Sequence, residues 1–189
     1  DFGMCTRSLL DLHYQKEVHH TLRYALNNFK QHHKITTTIT PGGKPFDFPT
    51  FAVDSLPWLI HSIKVSKFHY DPFKDLLNKQ IHLFYKKVIN PNTGLVRPEV
   101  HFSSIKDFAI RKSSCYDNCM AALLAKDLKG MRLDNPFVNI SYPELIKRHF
   151  WNGEYFYDDL TAQKYVAGDA NLFPFALGII TDDEMLRSA

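Results

Sequence analysis

The chain has no uninterrupted apolar run of about eighteen residues, so it offers no candidate for a membrane-spanning helix. Its N-terminus lacks the basic-then-apolar pattern of a leader, and no targeting peptide is expected. Cysteine is scarce. Cys5, Cys115 and Cys119 are an odd number, and the last two stand one helical turn apart on a predicted helix, where they pack as small apolar side chains rather than bridge. A reducing, cytoplasmic setting is the expectation. Charge of one sign never accumulates either: the net charge is +3 and the Lys and Arg residues are scattered, which gives no reason to expect a nucleic-acid partner. The histidines, adjacent at His19-His20 and His32-His33 in a polar helical stretch, lack a ligand spacing such as HExxH. No metal, cofactor or membrane partner is expected. The triplet Asn139-Ile140-Ser141 matches a glycosylation acceptor, but it needs a secretory context that nothing else in the chain supplies.

What is present is apolar and aromatic. Of 189 residues, 44% are hydrophobic and 14% aromatic, ample for one buried core, so residues 1–189 are read as a single domain. Asp1 rather than Met opens the sequence, and the helix-like DDEMLRSA closes it. The expectation is a piece of a longer domain.

The hydrophobic pattern alternates between two kinds of helix. MCTRSLLDLHY is short and apolar, and EVHHTLRYALNNFKQHH is longer and amphipathic. KITTTITPGGKPFDFPTFA, with β-branched residues, Pro and Gly, predicts an extended loop or small hairpin. DSLPWLIHSIK is apolar on most sides, and residues 71–88 form an amphipathic partner with a Lys-rich face. After turn signals at 90–98 comes the polar loop HFSSIKDFAIRKSS, which enters the apolar helix CYDNCMAALLAKDL. SYPELIKRHFW is a brief amphipathic helix, WNGEYFYDDLTAQKYVAGD predicts a β-hairpin, and ANLFPFALGII is nearly all apolar before a final polar helix. About four units of loop, apolar helix, turn and amphipathic helix emerge, as expected of helical hairpins stacked around an axis. The predicted fold is all-α, an (α/α) toroid with short β-hairpins in its loops.

Each junction into an apolar helix carries an acid: Asp54, Asp107 and Asp169. In a toroid these junctions gather at one end. Asp54 and Asp169 also stand where helix N-caps are expected. Asp107, several residues ahead of its helix and between Lys106 and Arg111, is not explained by capping. Glycoside cleavage needs two carboxyl groups, one to protonate the leaving oxygen and one to activate water or attack carbon. Asp107 and Glu154 are the candidate pair, although a carboxylate in a hairpin also fits simple solvation. Phe48, Trp58, Phe102, Tyr116, Trp151, Tyr155 and Tyr157 can stack on sugar faces, against the default of core packing.

Four stretches together resemble the six-hairpin glycosidases, the superfamily that includes glucoamylases and amylo-α-1,6-glucosidase. FGMCTRSLLDLHY looks like the first inner helix, whose Arg and Asp grip the terminal sugar. Arg7 fits; Ser8 stands in the place of the immediate Asp, and Asp11 follows a turn later. VDSLPWLIHSIK is similar to an inner helix opening with Asp-Ser, which puts Asp54 near substrate. HFSSIKDFAIRKSSCYDNCMAALLAKDL looks like the central loop and helix, which implies Asp107 as general acid with Arg111, Tyr116 and Asn118 lining the pocket. HFWNGEYFYDDL and GDANLFPFALGI resemble the aromatic hairpin and succeeding inner helix, bringing Trp151 and Asp169 to the site. The resemblance implies a hydrolase of carbohydrate metabolism, acting on an α-linked glucoside or similar small saccharide with inversion. About four of its six hairpins are present, and the second catalytic carboxylate can lie outside the chain. A glycoside phosphorylase or polysaccharide lyase on the same barrel, or a non-catalytic carbohydrate-binding helical repeat, are the alternatives.

Overall fold

A computed structural model describes residues 2–106 and 108–189, and they form an all-α protein with one small hairpin. The helices are α1 (Phe2–Asp11), α2 (Gln15–His32), α3 (Ser55–Val65), α4 (Lys74–Val88), α5 (Cys115–Leu128), α6 (Tyr142–Phe150), α7 (Gly168–Ala176) and α8 (Asp183–Ser188). A 3-10 turn, Asp71–Phe73, leads into α4. The antiparallel pair β1 (Thr38–Ile39) and β2 (Pro45–Phe46) lies between α2 and α3, where β-branched residues and the Pro-Gly-Gly run exclude helix. Among the described residues no helix is long and apolar enough to cross a membrane.

The two helix types predicted from periodicity are both present. In α2, Val18, Leu22, Leu26 and Phe29 recur at helical spacing and are buried while the intervening polar residues face water. In α4 the buried set is Leu76, Leu77, Ile81, Phe84 and Val88. Helix α5 differs in kind: every residue from Cys115 to Leu128 is buried except Lys126. A helix apolar or small on all sides must be surrounded, and α5 packs against α3, α6 and α7.

The row α1, α3, α5, α7 runs in one direction. Gly3 meets Trp58, and Thr6 Oγ1 bonds Ser62 Oγ at 2.8 Å, so α1 and α3 advance together. At the starts of α3 and α5, Tyr116 Oη donates to Asp54 Oδ2; near their ends, Lys64 Nζ donates to Lys126 O and Lys129 O. Cys115 and Ala170 touch at the starts of α5 and α7, and Lys126 Nζ donates to Leu177 O at 2.8 Å and Gly178 O at 3.2 Å at their ends. A lysine from one helix thus closes the carbonyl end of the next, where the peptide dipoles favour a cation. The N-termini of α3, α5 and α7 consequently meet at the opposite end.

Two predicted boundaries shift. Helix α7 starts at Gly168 and ends at Ala176, because Gly178 turns left-handed at φ +58° and the amides of Ile179 and Ile180 fold back onto Pro174 O. The hairpin expected over 151–169 is reduced, among the described residues, to one antiparallel bridge, Trp151 to Phe156. Side chains take over its ladder: Asn152 Oδ1 accepts from the amides of Glu154 and Tyr155, while Asn171 of α7 accepts from Phe156 N at 2.7 Å and donates to Phe156 O at 3.1 Å.

The contact of α1 with α3 yields a stability test. A Cβ on Gly3 would lie 2.4 Å from Trp58 Cβ and 3.3 Å from Trp58 Cα, so α1 must retreat from α3 to admit it. Gly3→Ala is expected to cost about 1–3 kcal/mol, seen as an earlier midpoint in urea unfolding.

Candidate active site

The site lies at the start of α3, beside the start of α1. A cleft of about 580 Å³ opens between the start of α1, the inward face of α2, the start of α3, β1 and residues 104–105. Among the described residues Asp54 is the only acid lining it, and no Lys, Arg or His does so. Asp54 occupies the N-cap position of α3 without capping it through its side chain. Its carboxylate instead accepts from Tyr116 Oη at 3.2 Å, and Tyr116 Oη accepts from Trp58 Nε1, also at 3.2 Å. Trp58 lines the cleft, whereas Tyr116 is wholly buried with its ring edge-on to Phe173, 4.8 Å between centroids. Burial, followed by the nearby Asp54 charge, pushes the Tyr116 hydroxyl far above its ordinary pKa and keeps it a donor to Asp54. The arrangement holds a carboxylate at a fixed place in an otherwise mostly apolar cleft.

Behind the cleft lies a buried charge cluster. Arg111 Nη1 meets Asp169 Oδ2 at 3.0 Å and Asp158 Oδ1 at 3.3 Å, and its Nη2 donates to Ser104 Oγ at 2.8 Å. These three charged side chains are only 5–7% exposed. Lys106 joins from the surface, 3.3 Å from Asp158 Oδ1 and 2.7 Å from Asp169 Oδ1, the latter a charge contact without hydrogen-bond alignment. Tyr165 Oη donates to Asp158 Oδ2, and this bond, ahead of burial, pushes the Tyr165 hydroxyl up to about 12. For Asp158, burial raises the pKa, but Tyr165, Arg111 and Lys106 together outweigh it and leave the carboxyl below its ordinary value. Burial also opposes the Arg111 charge, yet Asp117, Asp158 and Asp169 prevail and the guanidinium stays above its ordinary value.

Asp117, in the first turn of α5, belongs to the same neighbourhood. It is 6% exposed and its Oδ1 is buried without a hydrogen bond among the described residues. Burial pushes its carboxyl up to about 6, against the pull of Arg111 and of the Ser114 and Ser104 hydroxyls. Two cations thus face three carboxylates, of which burial raises Asp117. Ser104 connects the two halves of the site, lining the cleft on one side and bonding Arg111 on the other.

The residues singled out in the sequence are distributed unevenly over this geometry. Asp54, Tyr116 and Trp58 come together at the cleft. Arg111 and Asp169 come together as the strut beneath it, with Asp169 in the first turn of α7. Asp107 lies outside the described residues, two positions beyond cleft-lining Ile105. Glu154 is exposed in the 151–156 turn and does not line the cleft. Trp151 is half-buried against Phe156, 4.9 Å between ring centroids. Arg7 and Asp11 are exposed further along α1, which gives Phe2, Gly3 and Met4 to the cleft instead. Asn118 is fully engaged in the fold: its Oδ1 accepts from Val96 N, and its Nδ2 donates to Ser113 Oγ and Ser114 O. Cys115 and Cys119 are buried free thiols, and Cys5 is exposed.

Sequence reasoning missed Asp158, Asp117 and Ser104. Asp158 reads as a turn residue in YFYDDL, and the available signal was the doubled acid after an aromatic run: Asp159 makes the local turn by accepting from Thr161 N and ties it to the other loop by accepting from Lys112 N, which leaves Asp158 for Arg111. Asp117 carried a signal too, as a carboxylate in the one helix apolar on every face. Among the described residues no group of three or more His, Cys, Asp or Glu side chains could hold a metal ion. Comparison with family models, curated proteins and solved structures finds no match for the chain.

Two stability tests follow from the cluster. Replacing Arg111 with Met leaves Asp158 and Asp169 buried opposite an apolar chain, an expected loss of about 3–5 kcal/mol, measured by denaturant unfolding at pH 7. Asp117 works in the opposite sense. Its folded pKa of about 6 exceeds the ordinary 3.8, so the folded chain binds a proton that the unfolded chain has released, and stability falls as pH rises from about 4 to 6. Asp117→Asn is expected to remove that slope and to exceed the parent above pH 6 by up to about 3 kcal/mol, read from melting curves across the window.

Proposed function

We propose that the chain belongs to an (α/α) toroid of the six-hairpin type and hydrolyses an α-linked glucoside or similar small saccharide with inversion. The observation that carries the reading is Asp54, held by Tyr116, which Trp58 in turn orients, in a cleft at the starts of α1 and α3. The one-directional row α1, α3, α5, α7, with α2, α4 and α6 packed on its members as hairpin partners, is what an inner and outer ring require. Four hairpins correspond to four of the six such a ring uses.

In this mechanism Asp54 is the general base. Ionised and oriented by the Tyr116 hydroxyl, it takes a proton from a water as the water oxygen bonds to the anomeric carbon. Asp107 is the general acid, giving its proton to the glycosidic oxygen as the bond from that carbon breaks. In this reading Arg111, Asp158 and Asp169 brace Ser104 and Lys106 rather than bind sugar. Trp58 offers an aromatic wall to the sugar. Among the described residues no Lys, Arg or His lines the cleft, which favours hydrolysis over the phosphorylase and lyase alternatives, since phosphate or a uronate would need a cation. The buried free thiols suit a cytoplasmic enzyme.

The test is turnover of a panel of α-linked disaccharides by the full-length protein and two variants. Asp54→Asn and Asp107→Asn are each expected to lose about 10²–10⁴-fold in kcat while melting at the parent's temperature. Parent-like kcat in Asp54→Asn removes that residue from the chemistry.

A further inference from the structure

We propose that three loop segments beside the cleft dock this protein on an anionic lipid bilayer, their exposed apolar side chains entering the interface and their lysines meeting the headgroups. This inference stands apart from the glycosidase reading, and a surface contact needs no spanning helix.

Six large apolar side chains are exposed on the three segments: Phe46 and Phe48 at and after β2, Ile105, Phe108 and Ile110 in the loop before α5, and Val166 ahead of α7. Phe108 is 72% exposed and Ile110 83%, so neither serves the core. The segments are fastened to one another. Phe48 and Phe108 meet edge to face, 5.5 Å between ring centroids, and both remain exposed. Ile105 lines the cleft together with Thr37 and Ile39, which sets it beside the hairpin. Lys112 N donates to Asp159 Oδ2 at 2.8 Å and Leu160 N to Lys112 O, and Tyr165, next to Val166, donates to the same Asp158 that Arg111 and Lys106 meet. Polar and backbone bonds thus hold the loops to each other while the apolar groups stand in water. A single exposed apolar residue is ordinary, but several on adjoining loops mark a contact surface.

Charge on these segments is sorted by sign. Lys44, Lys112 and Lys164 are exposed. The acids are paired or buried: Asp47 meets Lys34 at 3.1 Å, Asp158 and Asp169 meet Arg111, and Asp159 accepts from two backbone amides. Among the described residues, the formal charge these segments show to water is therefore positive.

An anionic bilayer answers both features. Its surface potential attracts each lysine within a Debye length, and a lysine stem lies along apolar neighbours while the ammonium reaches a phosphate. Hydrocarbon below the headgroups receives Phe, Ile and Val, whose withdrawal from water is favourable. A folded protein partner would need a pocket shaped to each protruding side chain; the lipid interface adapts to all of them. A nucleic acid offers phosphates and base faces to stack on, but no place for Ile110 or Val166.

The experiment is sedimentation of the full-length protein with vesicles of phosphatidylcholine alone or containing about 30% phosphatidylserine. Binding to the mixed vesicles is expected to be about 10-fold or more tighter than to the neutral ones, and to weaken as salt rises from about 0.1 M to about 0.5 M. Phe108→Ser with Ile110→Ser is expected to lose about 10-fold on the mixed vesicles, and Lys112→Glu with Lys164→Glu a similar factor of about 10, with melting temperatures unchanged. If the Phe108 variant melts early through its contact with Phe48, Ile110→Ser with Val166→Ser serves in its place. Sedimentation with neither vesicle, or equal binding to both, overturns the proposal. So does mixed-vesicle binding that depends on the lysines and not on the apolar pair, which is the behaviour of a polyanion site. No saccharide enters the measurement, so its failure is distinct from failure of the glycosidase test.

Discussion

The buried guanidinium of Arg111 holds the mouth of this protein together. It belongs to a loop that makes no helix of its own, yet it reaches Asp158 in a second loop, Asp169 at the start of α7 and Ser104 on the cleft wall. Taking these charges out of water is expensive, so the arrangement persists only because each partner is answered: Lys106 adds a second cation and Tyr165 a hydroxyl donor. Backbone bonds follow the same path, with Cys115 N donating to Asp158 O and Leu160 N to Lys112 O. The loops are clamped to one another and to the N-termini of α5 and α7. A side chain held this way is a poor ligand for a sugar and a good foundation for one.

The distribution of charge separates support from chemistry. In the cluster, opposite charges meet at short distance and exclude water. In the cleft, the Asp54 carboxylate stands beside a largely apolar wall and accepts from the Tyr116 hydroxyl, which in turn accepts from Trp58 Nε1. Asp117 falls between the two. Burial raises it to about 6, close enough to neutrality that its protonation balances the cluster when the solution turns mildly acidic. The left-handed backbone of Ser113, at φ +56°, lies at the turn from this loop into α5 and marks where the chain accepts strain to bring the groups together.

Much of the architecture was legible because it is written in period and polarity. The apolar faces of α2 and α4, the all-apolar α5 and the Pro-Gly break before α3 appear in the sequence in the form the fold uses. Asp54 was legible as an acid at a helix start, and the junction rule brought it to the same end as Asp169. What stayed hidden depended on partners distant in sequence. Nothing local distinguishes Arg111 as a strut from Arg111 as a ligand; the difference lies in Asp158, 47 residues away. Asn171 replacing a strand ladder, and Asn118 tying down Val96, are likewise side-chain choices that periodicity does not encode. Glu154 looked equivalent to the other acids for the same reason: a carboxylate in a turn reads alike whether the turn faces a cleft or water.

The central claim is that Asp54 activates water against an α-linked glycoside in the cleft. It is tested most directly by the anomeric form of the first sugar released, followed by proton NMR within the first turnovers and ahead of mutarotation. Attack by a water held on the face opposite the leaving group predicts the β-anomer as first product. Release of the α-anomer, or no release from any α-linked glucoside, contradicts the account.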